Sequence, residues 1–398
     1  MRRRDFLSLF AAGAAPFQLQ AQRAAGRTKI TDIKVVNLKV IREAGTMEAA
    51  WDPGNPRKYF VGGGSVVEIH TDQGLVGIGP GIDEPLVAAA KAQLVGKDPF
   101  DTEQHAGRLR YYVGGTHYRG GANIDIALWD LIGKACGQPL YKLWGGAKDR
   151  VIPYASMIRL GTPEERATLA SKLLADGFQA IKLRLHHATM KDDLLTVEAV
   201  KKATGGKMVI MVDANQAQSS GNWQPGVLWD FRRALDTATE LERMGVYFLE
   251  EPLQRYEFAK LAELNRQLSM PLAGGENNRG MHEFQQMCTD GVYDILQPEP
   301  LVMEGITGLR KIGAMAEVFG KRVMPHHGGG NIGTIATLHL VASWPHAPYW
   351  ELLHDPPVGA YENRFTIFRN GPKVGKDGTM DVPQGPGLGV EIDKSLIV

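Results

Sequence analysis

A series of polar clusters in this chain each closes a short apolar run, and their side chains are of the kinds that move protons and hold metal ions. In chain order they are Lys182 and Arg184, Asp213-Ala214-Asn215, Glu250-Glu251-Pro252, Glu276-Asn277, Pro298-Glu299, His326-His327 and Glu351. Acids from three successive runs, gathered in one place, would repel each other, and a hard divalent cation with oxygen ligands is the usual remedy. Mg²⁺ is the expected ion. The alternative is that each acid caps the helix following it, where the helix dipole favours negative charge. A cation beside Lys and His side chains could stabilise developing negative charge while a base moves a proton.

Something must bring those clusters to one mouth. From Val151 onward, apolar runs at Ile152 to Ser156, Ala180 to Leu185, Met208 to Val212, Tyr247 to Leu249, Leu272 to Gly274, Asp294 to Gln297, Arg322 to Met324 and Tyr349 to Leu352 alternate with helical stretches. That is how a parallel α/β sheet is written, and at this spacing a TIM-type barrel, whose chemistry sits where strands end and loops begin, is expected. Upstream, Ile30 to Val40 reads as a strand and Ser65 to Ile78 as a hairpin around Asp72-Gln73-Gly74. Glu84 to Leu94 and Phe100 to Ala135 then turn helical, ending at Gly137 and Pro139. The expected division is an α+β unit over 27–149, the barrel over 150–355 and a C-terminal segment over 356–398.

Residues 1–26 are set apart. Arg2-Arg3-Arg4-Asp5-Phe6-Leu7 followed by small apolar residues resembles a twin-arginine export signal, and its apolar run is far shorter than the roughly 20 residues that span a bilayer. An exported, periplasmic protein without membrane insertion is expected. Lys and Arg total 45 against 44 Asp and Glu, so net charge offers no reason to expect nucleic acid or an anionic surface, and a small-molecule partner is expected. The two cysteines, Cys136 and Cys288, leave no room for a disulfide framework or a cysteine-based zinc site.

The stretch from Gly121 to Lys134, with Gln138-Pro139-Leu140 and Leu143-Trp144-Gly145-Gly146, resembles the linking segment of mandelate racemases and acid-sugar dehydratases of the enolase superfamily. Asp213-Ala214-Asn215, Glu250-Glu251-Pro252 and Gly275-Glu276-Asn277 resemble the metal-binding strand ends of the same family, in family order. The resemblance implies a modified (β/α)7β barrel with an α+β capping domain completed by the C-terminal segment, and a symmetric homo-oligomer. It implies that Asp213, Glu250 and Glu276 bind Mg²⁺, with Asn215, Glu251 and Asn277 supporting them. Where the family commonly carries Lys-x-Lys, this chain has Lys182-Leu183-Arg184; an arginine is a poor proton acceptor, so Arg184 is expected to steady the substrate carboxylate, with Lys182 doing likewise or serving as a base if Arg184 depresses its pKa. His327 is expected to be the catalytic base, oriented by Glu299 in the place of the family's Asp, with His326 as its rival. Glu351 falls where the family places an acid that hydrogen-bonds the substrate carboxylate.

Racemisation needs groups on both faces of the carbanion, whereas loss of a β-hydroxyl can be served by one residue acting as base and then acid. With Arg184 in place of the second lysine, dehydration of a 2,3-dihydroxy acid to a 2-keto-3-deoxy acid is expected, with a racemase or epimerase as the alternative and a non-catalytic exported binding protein as the alternative of another class. The loop from Ala44 to Gly64, with Glu48, Trp51, Arg57, Lys58 and Tyr59, is expected either to close over the mouth or to be merely solvated. Gly328-Gly329-Gly330-Asn331-Ile332-Gly333 lacks the Lys-Ser/Thr ending of a phosphate loop and reads as a tight turn.

Overall fold

The structure, a computed structural model, describes residues 28–113, 119–218 and 227–398. The export segment expected at residues 1–26 lies outside the described residues, and among those described no helix is long and apolar enough to cross a membrane.

Alternating side chains make Ile30–Asn37 (β1) a one-sided strand, with Ile30 and Ile33 buried. It pairs antiparallel with Ser65–Thr71 (β4), which pairs antiparallel with Val76–Pro80 (β5). The strand expected to run to Val40 stops at Asn37, and Val40–Met47 (β2) begins a separate hairpin with Arg57–Gly62 (β3), so both ends of the expected loop at 44–64 are antiparallel ribbon. Helices α1 (Glu84–Leu94), α2 (Thr102–Tyr112) and α3 (Arg119–Cys136) cover the sheet; the single helical stretch expected from Phe100 is therefore two helices. Helix α3 lies close on β5 because two positions there lack side chains. A Cβ on Gly77 would stand 2.2 Å from the Ala127 carbonyl oxygen, and one on Gly79 2.2 Å from that of Asn123.

The second unit is a parallel sheet of eight strands: Pro153–Ser156 (β7), Ala180–Arg184 (β8), Val209–Asp213 (β9), Leu249–Glu250 (β10), Leu272–Gly274 (β11), Ile295–Leu296 (β12), Arg322–Val323 (β13) and Trp350–Leu353 (β14). The first seven follow chain order, and β14 returns to flank β7, which curls the sheet into the barrel. Tyr154, Ala180, Met211, Phe248, Ala273, Ile295 and Met324 form a small core of their own, a layer inside the barrel, while Ile181, Leu183 and Leu185 belong to the larger core under the helices. That alternation turns Lys182 and Arg184 inward, above Ala180. The crossover helices carry ordinary end signals: Pro163–Asp176 (α5, after the short Leu140–Leu143, α4) starts on a Thr162/Glu165 capping box and ends on Gly177 at a φ of 111°.

Two polar clasps close the structure. Asp355, just past β14, accepts from the Ile158 and Arg159 amides and pairs with the Arg159 (3.0 Å) and Arg166 (3.1 Å) guanidinium groups, tying the ends of the first and last barrel strands. Beyond it the chain returns: Met380–Asp381 pairs antiparallel with Arg150–Val151, Ile397 bridges Leu38, and the Val398 amide donates to the Asn37 carbonyl. The capping unit is thus completed from the far end of the chain.

His339, fully buried, joins the linker to this returning segment; its Nδ1 accepts from the Tyr141 amide (3.3 Å) and its Nε2 donates to the Leu388 carbonyl (3.0 Å). Burial pulls its pKa down to about 4. The unfolded chain, with an ordinary histidine, binds the proton first on acidification, so the stability that neutral His339 contributes is complete above about pH 6.5 and is lost as pH falls toward 4. A loss of about 1–2 kcal/mol between pH 7 and pH 5 is expected from this group. Denaturant titrations at both pH values, on the native chain and on His339→Gln, check it: the variant should show the smaller pH dependence.

Candidate active site

Parallel register sets the polar strand ends at one height: Arg184 lies beside Asp213, Asp213 beside Glu250, and Glu250 beside Ala273, three residues before Glu276. All of these polar side chains are buried. Of these, Arg184 and Glu276 line a cavity of about 340 Å³ whose wall also includes Trp51, Asn215, Asn277, Glu299, His326, His327, Gly329 and Leu353.

Each of the three acids expected to bind metal is held by a cation of the chain. Arg184 bonds Asp213, and it also donates to the Met157 carbonyl (2.8 Å), Asn215 Oδ1 (3.1 Å) and Ser156 Oγ (3.3 Å). Lys182 Nζ lies 2.7 Å from Glu250 Oε2 and 2.8 Å from Glu351 Oε1. His326 Nε2 lies 3.0 Å from Glu276 Oε2. The supporting residues are in place: Asn215 donates to Asp213 through its amide and its side chain (2.7 and 3.0 Å), Asn277 donates to Glu276 (2.8 Å), and Glu251 is fully buried behind them. Asn215 and Glu251 adopt left-handed backbone, with φ of 47° and 45°, a strain that clusters at functional sites.

Among the described residues, the acid and imidazole group whose ligand atoms all lie within 4.8 Å of one another is Glu299, His326 and His327, and Asp213, Glu250 and Glu276 form no such group. The reason is the pairing just described, in which each carboxylate turns toward its own cation. The donor set nevertheless fits a hard divalent ion. Glu250 Oε1 and both Glu251 oxygens are buried with no hydrogen-bond donor, and burial, then the neighbouring Asp213 charge, pushes Glu250 up to about 8. Uncompensated buried oxygen of this kind is what Mg²⁺ ligation supplies with a partner.

The imidazole positions correct the expected pairing of His327 with Glu299. Glu299 holds His326, whose Nδ1 lies 2.6 Å from Glu299 Oε2; His327 is not in that pairing, and its Nδ1 accepts from the Gly329 amide (3.0 Å). Burial, then the charge of His326, keeps His327 well below the ordinary histidine pKa. For His326 burial acts downward, but Glu276, Glu351 and Glu299 outweigh it and raise the pKa to about 10.

Lys182 and Glu351 also differ from expectation. Burial would discharge the ammonium, yet Glu250 and Glu351 outweigh it and hold Lys182 well above its ordinary pKa, the opposite of a lysine poised as a base. Against its own burial, the Glu351 carboxyl is held ionised by Lys182. Glu351 is therefore a counter-ion to Lys182 in the barrel interior. Arg184, with donors spent on four protein groups, keeps only part of the carboxylate-binding capacity expected of it.

Two contributors, Gln297 and His186, went unseen in the sequence, and Trp51 arrives from the loop expected over the mouth. Gln297 donates to Glu250 Oε2 (2.8 Å), His186 bonds Asn215 Oδ1 (2.9 Å), and Trp51 lies over the Arg184 guanidinium at 4.7 Å. Gln297 and His186 had a signal in their strand-end positions. Of the other residues noted in that loop, Glu48 accepts from the Gly54 amide, Lys58 pairs with Glu43 and Arg57 with Asp52, while Tyr59 packs beside Leu353.

A barrel with a cap, carrying acids at the ends of its third, fourth and fifth strands and a histidine–carboxylate pair at its seventh, defines a class that the comparisons identify. Residues 63–145 match the mandelate racemase / muconate lactonizing enzyme N-terminal domain, and residues 165–396 the enolase C-terminal domain-like family. The chain belongs to the mandelate racemase and muconate lactonizing enzyme family of the enolase superfamily. It is similar to arabinonate dehydratase of Saccharolobus solfataricus, 29% identical over 82% of this chain and 87% of that protein. It is 30% identical to D-galactonate dehydratase of Pectobacterium atrosepticum over 83% and 89%. Its structure resembles that of D-glucarate dehydratase from Agrobacterium tumefaciens complexed with magnesium, with a TM-score of 0.79, 26% identity, and 93% and 99% of the two chains covered.

Proposed function

We propose that this lyase dehydrates an acid sugar to a 2-keto-3-deoxy acid, removing the proton alpha to the carboxylate with the help of Mg²⁺ held by Asp213, Glu250 and Glu276. The observation that carries the reading is His326, on the cavity wall between Glu299 and the acid Glu276. A bound divalent cation would stabilise the negative charge that builds on the substrate carboxylate as the α-carbon loses its proton.

The chain's own part falls to His326 and its neighbours. With Glu299 accepting from Nδ1–H, the atom that takes the α-proton is Nε2. Glu276 is the largest of the groups that raise the His326 pKa, so a Glu276 carboxylate engaged as a ligand leaves Nε2 free to accept. The proton then passes from Nε2 to the departing β-hydroxyl, which leaves as water, and the enol product becomes the 2-keto acid. Epimerisation is less well supported, because Lys182 and Arg184, the groups on the second strand, are committed to carboxylates. The reading includes export by the twin-arginine route, supported by the Arg2 to Leu7 sequence, and a symmetric homo-oligomer, supported by the family.

Purified protein with Mg²⁺, incubated with a panel of aldonic and aldaric acids, should release 2-keto-3-deoxy product from at least one. Run in D₂O, scrambling at the α-carbon without loss of water would replace the dehydratase by an epimerase. Binding of an acid sugar with no exchange at all would leave a binding protein.

A further inference from the structure

Several cations around the barrel mouth are matched to acids. Lys182 meets Glu250 and Glu351, Arg184 meets Asp213, and Arg159 and Arg166 share Asp355. Arg364, on the short helix Tyr361–Phe365 of the returning segment, has one hydrogen bond, from its NH1 to the Leu353 carbonyl (3.2 Å). Among the described residues no carboxylate comes within 4.0 Å of its guanidinium.

Its place is behind the part of the cavity wall that Leu353, His327 and Gly329 form. Leu353, whose carbonyl it binds, lines the cavity, as do Gly329 and His327. The next residue, Gly330, is pressed against it: a Cβ there would stand 3.0 Å from Arg364 Cδ. Tyr59 of the capping hairpin belongs to the same cluster around Leu353 as Trp51. Burial pulls the Arg364 pKa down to about 10, and the influence of Tyr59 opposes it only in part. Beside it, His327 accepts from the Gly329 amide at Nδ1, which leaves the proton of the neutral ring on Nε2, a donor on the same wall.

A half-buried guanidinium with spare donors and no counter-ion, packed against the residues that line a cavity, is built to receive an anion. We propose that Arg364, with the His327 Nε2–H and the Tyr59 hydroxyl, forms a subsite for a second carboxylate at the far end of the substrate, so that the acid sugars this enzyme takes are dicarboxylic. The proposal rests on the dehydratase reading for the reaction, and on this chain's own unmatched cation for the substrate class.

The test pairs aldarates with the matching aldonates, for example galactarate and galactonate, which differ only in a terminal carboxylate or hydroxymethyl group. The wild type should show the higher kcat/KM on aldarates. Arg364→Met should lower kcat/KM for the aldarate by about 100-fold, as expected for two charge-assisted hydrogen bonds, while changing the aldonate by less than about threefold; Arg364→Lys should recover part of the loss. Equal losses on both members of a pair, or a wild type that favours the aldonates, overturns the subsite. If no acid sugar is turned over, calorimetric titration of galactarate in the presence of Mg²⁺ separates the two claims. Binding by the wild type that Arg364→Met abolishes upholds the subsite while the dehydratase reading falls, and equal binding by both proteins, or none by the wild type, overturns the subsite.

Discussion

Asparagine in place of His326 is expected to lower kcat by about 10²–10⁴-fold, with α-proton exchange into D₂O falling in step. On the proposed mechanism both rates fall together, because one imidazole nitrogen takes the α-proton and then delivers it to the leaving hydroxyl. Asparagine preserves a donor toward Glu299 and much of the volume, so the loss isolates proton transfer from packing. Glu299→Gln tests the same pair from behind. A carboxylate that raises the His326 pKa is replaced by a neutral amide, so the acidic limb of the pH–kcat/KM profile should move to lower pH, with a smaller fall in kcat. If His326→Asn retained native exchange rates, the base would have to lie elsewhere, and His327 would return as the first candidate.

Replacing Lys182 by methionine should destabilise the metal-free protein by about 3–5 kcal/mol, the usual cost of removing one partner from a buried ion pair. Lys182, Glu250 and Glu351 are all fully buried, and the single ammonium serves both carboxylates at 2.7 and 2.8 Å. Methionine fills similar space, so the effect is the loss of charge. The companion Lys182→Met/Glu351→Gln variant should recover part of it, since one stranded carboxylate is then neutral. Chemical denaturation in EDTA measures both; an unchanged midpoint for Lys182→Met would show that the barrel interior does not depend on this ammonium. Added Mg²⁺ should narrow the gap, because Glu250 then has another partner.

Much of this was legible in the sequence, and the parts that were not share a cause. The barrel strands are apolar runs of regular spacing, and their order in the sheet follows the chain, so each strand-end cluster could be placed without knowing any contact. Alternation correctly turned Lys182 and Arg184 inward. The same rule, counted from the inward Met324, selects His326 two residues on over His327; the signal was present, but the neighbouring Gly-rich turn obscured where the strand's alternation ends. What local pattern could not show was which cation each acid would choose. The Lys182–Glu351 pair joins the second strand to the eighth, 169 residues apart by number, and its charges settle both protonation states. Trp51 over Arg184 and Arg364 under Leu353 likewise bring separate parts of the chain to one wall, a juxtaposition with no sequence period.

The stitching of Ile397 and Val398 to Leu38 and Asn37 bears on how the molecule is made. A ribosome releases the first strands of the cap long before the residues that finish it, at a few to some twenty residues per second. The barrel can wind up strand by strand as it emerges, whereas the cap must wait for the closure between Leu38 and Ile397. Completion of the cap therefore follows the barrel in the order of synthesis, and a nascent chain stalled before Ile397 would carry its barrel strands beneath an unfinished roof.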